Sequence, residues 1–235
     1  MYNSNNKKFI ILLILAITPI CYSSIKTNNR TIPTMSNPVT NRVIIVDAGH
    51  GQPDGGAISK NGVSEEAINL AISFKLQKLL EQSGAKVIMT RTSENGIYDR
   101  DKKSIKTMKI SDLKNRANII NNSNADIVVS IHLNKINESQ CSGWQTFYRN
   151  KDATSKLLAS SIQDNLTAEM NKENKRKPLK IDNIYTVKHT KIPYAIVECG
   201  FLSNAEEEKK LQQEDYQDKL SWGIYNGIIE YFNTL

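Results

Sequence analysis

VIIVDAGHGQPDGGA, residues Val43 to Ala57, is the stretch that decides the fold. Its first four residues are aliphatic and β-branched, and such a run bounded by turn formers reads as a buried strand. From Asp47 to Gly51 the chain turns, so His50 stands where a strand ends. A glycine on either side frees the backbone and keeps neighbouring Cβ atoms away from the imidazole. Pro53, Asp54, Gly55 and Gly56 prolong the turn. The glycines do not form a dinucleotide loop, because that fingerprint opens a helix directly on its glycines and here Pro-Asp-Gly-Gly intervenes.

Outward from this turn, Ser64 reads as an N-cap with Glu65 and Glu66 in the first helical turn, where carboxylates complement the helix dipole. Ile68, Ala71, Ile72, Leu76, Leu79 and Leu80 follow at helical spacing, and Gly84 stops the helix. Glu66, about 100° round the helix from Glu65, is expected to face solvent. Strands are predicted at 86–90, 126–131, 144–148 and 194–197, with a short extended piece at 184–187. Helices are predicted at 113–121, 155–170 and 216–232, and residues 92–111 read as polar and irregular. Strands alternating with helices at this spacing predict an α/β sheet covered on both faces, and ligands of such sheets gather beyond the carboxyl ends of the strands. His50, His132 and Glu198 each follow the last apolar residue of a predicted strand, which points to one site.

The 235 residues, 39% hydrophobic and 23% charged, suit one globular domain behind a separate N-terminus. Lys7 and Lys8 precede the apolar run Phe9 to Tyr22, and Ser23 and Ser24 follow. Residues 1–24 therefore read as a signal peptide or an N-terminal membrane anchor. Residues 25–41, rich in Asn, Thr, Ser and Pro, read as a flexible tether, and 42–235 as the working domain outside the cytoplasmic membrane. Of the three cysteines Cys21 falls in the targeting segment, and Cys141 and Cys199 make no disulfide framework, so two free thiols are expected. The formal net charge of +7 includes a cluster at Lys172, Lys175, Arg176, Lys177 and Lys180, read as a solvated loop. An exported chain excludes nucleic acid as a partner, and the membrane is met only through the N-terminal segment.

Two imidazoles and a carboxylate are a common catalytic zinc set that leaves a position for water. Two of only three histidines stand at strand ends. Glu65 supplies a carboxylate because the loop from His50 returns to its helix, though dipole complementation explains it as well. Glu198, at the end of an apolar strand, is either paired with an arginine or a general base beside a metal-bound water. Asp47 either orients His50 or caps the turn. His189, in a polar stretch, reads as a surface or substrate-side residue.

DAGHG at 47–51, Glu65 before INLA, TR at 90–91, RAN at 116–118, SIHLN at 130–134 and VECGFLSN at 197–204 run in order through the whole domain. In this the chain resembles the zinc-dependent N-acetylmuramoyl-L-alanine amidases of the type 3 family. The resemblance implies a three-layer α/β/α fold with a central mixed, mostly parallel sheet. It implies Zn²⁺ held by His50, Glu65 and His132, catalysis by Glu198, and peptidoglycan as substrate. Arg116 and Asn134 then organise the site, grip substrate or serve the fold. The chain is most similar to the germination-specific amidases that act on spore cortex toward muramic-δ-lactam, which implies a place at the cell wall or developing cortex. A zinc exopeptidase cutting the stem is the competing enzyme, and a catalytically silent wall-binding protein the competing non-enzyme. The absence of a targeting module leaves room for an accessory protein partner that completes the site.

Overall fold

A computed structural model describes residues 37–235. The readings of 1–24 and 25–36 lie outside the described residues. Residues 37–41 form a turn that buries Val39 and donates from Asn37 Nδ2 to Tyr225 Oη at 3.3 Å. Among the described residues no helix is long and apolar enough to cross a membrane.

Six strands form one sheet: β1 (Val43–Ala48), β2 (Lys86–Met89), β3 (Ile127–Asn134), β4 (Gln145–Arg149), β5 (Leu179–Ile181) and β6 (Tyr194–Phe201), in the order β2-β1-β3-β6-β4-β5. Every pairing is parallel except β4 with β6. The sheet is thus mixed and mostly parallel, as expected. Among the described residues six helices accompany it: α1 (Glu65–Gln82), α2 (Ile105–Asn122), α3 (Ala153–Glu169), α4 (Tyr185–His189), α5 (Ala205–Leu211) and α6 (Glu214–Thr234).

Alternation along the strands divides the core. Ile44, Val46, Val129, Ile131 and Val197 face α1, α3 and α6 in the larger apolar cluster. Ile45, Val128 and Ile196 face the opposite way, with Ile120 of α2 and Val187 of α4. Each fully buried Ile or Leu contributes ~1.5–3 kcal/mol relative to exposure, so both helical layers are held by the strands between them. Asp47, Ser130, His132 and Glu198 continue the second set, one polar side chain after another toward the carboxyl ends of β1, β3 and β6.

Four readings are corrected. α2 begins at Ile105, well inside the segment read as irregular, because Ser104 and Thr107 form a reciprocal capping box that starts a helix in polar sequence. Residues 184–187 are mostly helical, in α4, and the extended piece is 179–181, pairing with β4. α5 was not expected; Asn204 caps it through bonds from the Glu206 and Glu207 amides. Finally, β3 and β6 run past His132 and Glu198, which therefore lie within paired strands, side by side in register. Cys141 and Cys199 are both free thiols, and Cys199 is fully buried.

Candidate metal centre

The turn after β1 carries His50 with a left-handed φ of 60°, a conformation that L side chains seldom adopt. It is held by cations from two other elements. Arg116 of α2 donates to the carbonyls of Ala48 and His50 and pairs with Asp47 and Asp112, each at 2.5 Å. Arg91, just after β2, donates to the carbonyls of Ala48, Gly49 and Glu66. The TR and RAN motifs therefore grip the turn, and Arg116, 2% exposed, spends its guanidinium on the protein itself. Two glycines make room for rings: a Cβ on Gly49 would come within 2.4 Å of His132, and one on Gly56 within 2.6 Å of Glu65 Oε2.

His50, Glu65 and His132 converge, with a donor atom from each within 4.8 Å of the others. Glu65 Oε1 lies 2.9 Å from His132 Nδ1 and 3.4 Å from His50 Nε2. The carboxylate is fixed by the amides of Leu133 and Ala57 and by Asn69 Nδ2. Burial alone would raise its pKa, but the bonds to His132 and His50 outweigh burial and hold the carboxyl far below the usual range. For His50, burial pulls downward, and the bonds to Asp54 and Glu65 prevail, pushing the imidazole up to about 9. Three convergent donors, one a nearly buried carboxylate shared between two imidazoles, fit a divalent metal ion. So does the partner on the far nitrogen: His50 Nδ1 sits 3.0 Å from Asp54 Oδ2, the carboxylate–imidazole support that metal-bound histidines use.

That support comes from Asp54 and not from Asp47, which corrects one reading. Asp47 accepts from Thr90, Ser130 and Arg116 and does not touch His50. Although burial opposes ionisation, the Arg116 charge and these hydroxyls keep its carboxyl well below the usual range. Asp54 carries no signature beyond its i+4 offset from His50 in a turn. Glu66 is also corrected: it is 3% exposed and accepts from Gln52 Nε2, because the 52–57 loop folds over the start of α1.

Glu198 stands beside His132 across the β3–β6 pairing. Its Oε2 is shut off from solvent with no hydrogen-bond partner among the described residues. Burial lifts the carboxyl to about 7, the Glu65 charge adding to the rise and the two histidines opposing it. Among the described residues no arginine pairs with it. His50, His132 and Glu198 line a cleft of about 130 Å³ between α2 and the β4–β5 edge. A larger groove of about 620 Å³ on the outer face of α1 and α6 holds no histidine, and the site belongs to the smaller cleft. Asn134 lies outside the cleft and gives its carbonyl to the Leu202 amide. His189 is exposed and stacks on Tyr185.

Fold and donor set together are those of an α/β protein with three side chains that could hold a metal ion. The chain belongs to the N-acetylmuramoyl-L-alanine amidase family, whose sequence profile matches residues 44–230. It is 39% identical over 224 residues to the germination-specific N-acetylmuramoyl-L-alanine amidase of Bacillus subtilis, covering 95% of this chain and 91% of that one. To the N-acetylmuramoyl-L-alanine amidase LytC of the same organism it is 32% identical, covering 84% of this chain and 37% of the relative. The solved CwlD amidase of Clostridioides difficile, in complex with the GerS lipoprotein, superposes with a TM-score of 0.81 at 45% identity, covering 83% of this chain and all of that one.

Proposed function

We propose that this protein is a zinc hydrolase that cleaves the amide bond between N-acetylmuramic acid and the L-alanine of the peptide stem in peptidoglycan. The observation that carries the reading is a solvent-shielded carboxylate, Glu198, with an unpartnered oxygen beside the convergent His50, Glu65 and His132. Zinc bound by these three would supply a Lewis acid that acidifies water and polarises the scissile carbonyl. Glu198 takes the proton from the attacking water and passes it to the leaving alanine nitrogen. Its burial favours the protonated carboxyl, the form that hands the proton on. Asp54 fixes the His50 tautomer, leaving Nε2 for the metal.

Similarity to a germination-specific amidase supports spore cortex as the wall attacked, and hence export to the wall or developing cortex. Similarity to an amidase solved with a lipoprotein supports an accessory protein partner. In the test, purified peptidoglycan is digested with zinc-loaded protein and the products are read by mass spectrometry. Free stems beginning at L-alanine are expected, and a chelator should stop their release. Replacing Glu198 by Gln should keep zinc bound and lower turnover by about 10³-fold. Release of single amino acids, or an active Glu198→Gln protein, would overturn the reading.

A further inference from the structure

The segment RDKKSIKTMK, residues 100–109, holds five cations and one acid. The structure turns its second half into the first turns of α2, with no acidic residue in the opening turn. Lys106 thus sits in the first turn, at the positive end of a helix dipole, where cations are disfavoured, and Lys109 follows in the second turn. Fold stability does not explain Lys106. Lys102 is answered by Asp101 at 2.7 Å and Lys109 by Asp54 at 3.0 Å, while Lys103 and Lys106 form no ion pair among the described residues. Lys109 is half-exposed and lines the cleft together with Leu113, one turn further on. The opposite wall is apolar, built from Phe147, Ile181 and Ile184. The cleft therefore has a charged side, where Lys109 and Arg116 stand with Asp54 and Asp112, and an apolar side.

Asp54 bridges Lys109 and His50, which puts the ammonium two hydrogen-bond lengths from a metal-site imidazole. A peptidoglycan stem offers an anion to this ammonium. Its second residue is a D-glutamate joined through the side-chain carboxyl, so a free α-carboxylate follows the scissile amide by one residue, about 3.8 Å from Cα to Cα. We infer that Lys109, with Lys106 beside it, reads that carboxylate, so that the enzyme selects anionic stems over stems amidated at this position. The inference rests on the amidase reading above.

The test uses two muramyl pentapeptides that differ only in carrying D-glutamate or D-isoglutamine at the second position. The full chain should cleave the acidic stem with kcat/KM about tenfold higher, and the preference should shrink with added salt. Replacing both lysines (Lys106→Gln with Lys109→Gln) should remove the preference through a higher KM on the acidic stem, and Lys109→Arg should retain it. Equal rates for the two stems in the unaltered protein, or a preference that survives the double replacement, would overturn the inference. An equal loss of kcat on both stems would overturn it too, leaving Lys109 as a support for Asp54. If neither stem is cleaved the amidase reading falls, and calorimetric titration of the same two stems decides the subsite separately: tighter binding of the acidic stem by the unaltered chain than by the double variant supports it, and equal binding overturns it.

Discussion

Replacing Arg116 by Met tests whether the turn that presents His50 is held by charge. The guanidinium is 2% exposed and contacts Asp47 and Asp112 at 2.5 Å each, besides two turn carbonyls. Met preserves much of the volume but leaves Asp47, 3% exposed, without its cation. Breaking a buried pair from one side costs about 3–5 kcal/mol. Asp47 keeps the Thr90 and Ser130 hydroxyls, but the turn also loses two donors, so ~4 kcal/mol is expected, about a 10³-fold shift in the unfolding equilibrium. The assay is urea denaturation of the metal-free protein, where the midpoint should fall with the slope unchanged. The pH dependence sharpens it. Asp47 has a depressed folded pKa, so it contributes stability that is present above its unfolded value near 3.9 and is lost as pH falls toward the folded one. The variant has little of this to lose, so the gap between the two proteins should narrow by about 1.4 kcal/mol per pH unit below pH ~4. A gap under 1 kcal/mol at pH 7, or one that widens in acid, would refute the account.

Two further outcomes concern the metal centre. Asp54→Ala removes the partner of His50 Nδ1 and should weaken zinc binding about 10–100-fold, measured by competition with a chromophoric chelator; an unchanged affinity would assign that support elsewhere. Because His50 is raised to about 9 in the metal-free protein, its imidazolium stabilises that state fully below its unfolded pKa of ~6.5, and the contribution is lost as pH rises through about 9. Zinc titrated at pH 7.5 must therefore expel the His50 proton, seen calorimetrically as a dependence of the heat on the buffer's ionisation enthalpy, and heats independent of buffer would contradict it.

The sequence reveals those parts of the site in which local pattern and chemistry coincide. A β-branched run ending in Asp-Ala-Gly-His-Gly can hardly be anything but a strand leaving for a turn, and apolar runs interrupted by His132 and Glu198 advertise side chains whose burial requires a reason. Periodicity likewise places α1, α3 and α6, because each buries one continuous stripe against the sheet. α2 does not, since Ile105 and Ile110 of its first two turns stay exposed and a Ser104–Thr107 cap rather than an apolar face starts it. The supporting residues were illegible for a related cause. Asp54 and Asp47 are both aspartates near His50, and only the fold decides that the one after the turn curls back to the imidazole while the one before it points into the Arg116 network. Glu66 was misplaced because helical geometry alone sends it to solvent, whereas the 52–57 loop covers it. In each case the deciding contact joins a turn to something outside it. That is also why Lys109 stays silent in sequence. Its place comes from Asp54, 55 positions earlier, and it meets the cleft only because the fold lays that turn of α2 beside the His50 loop.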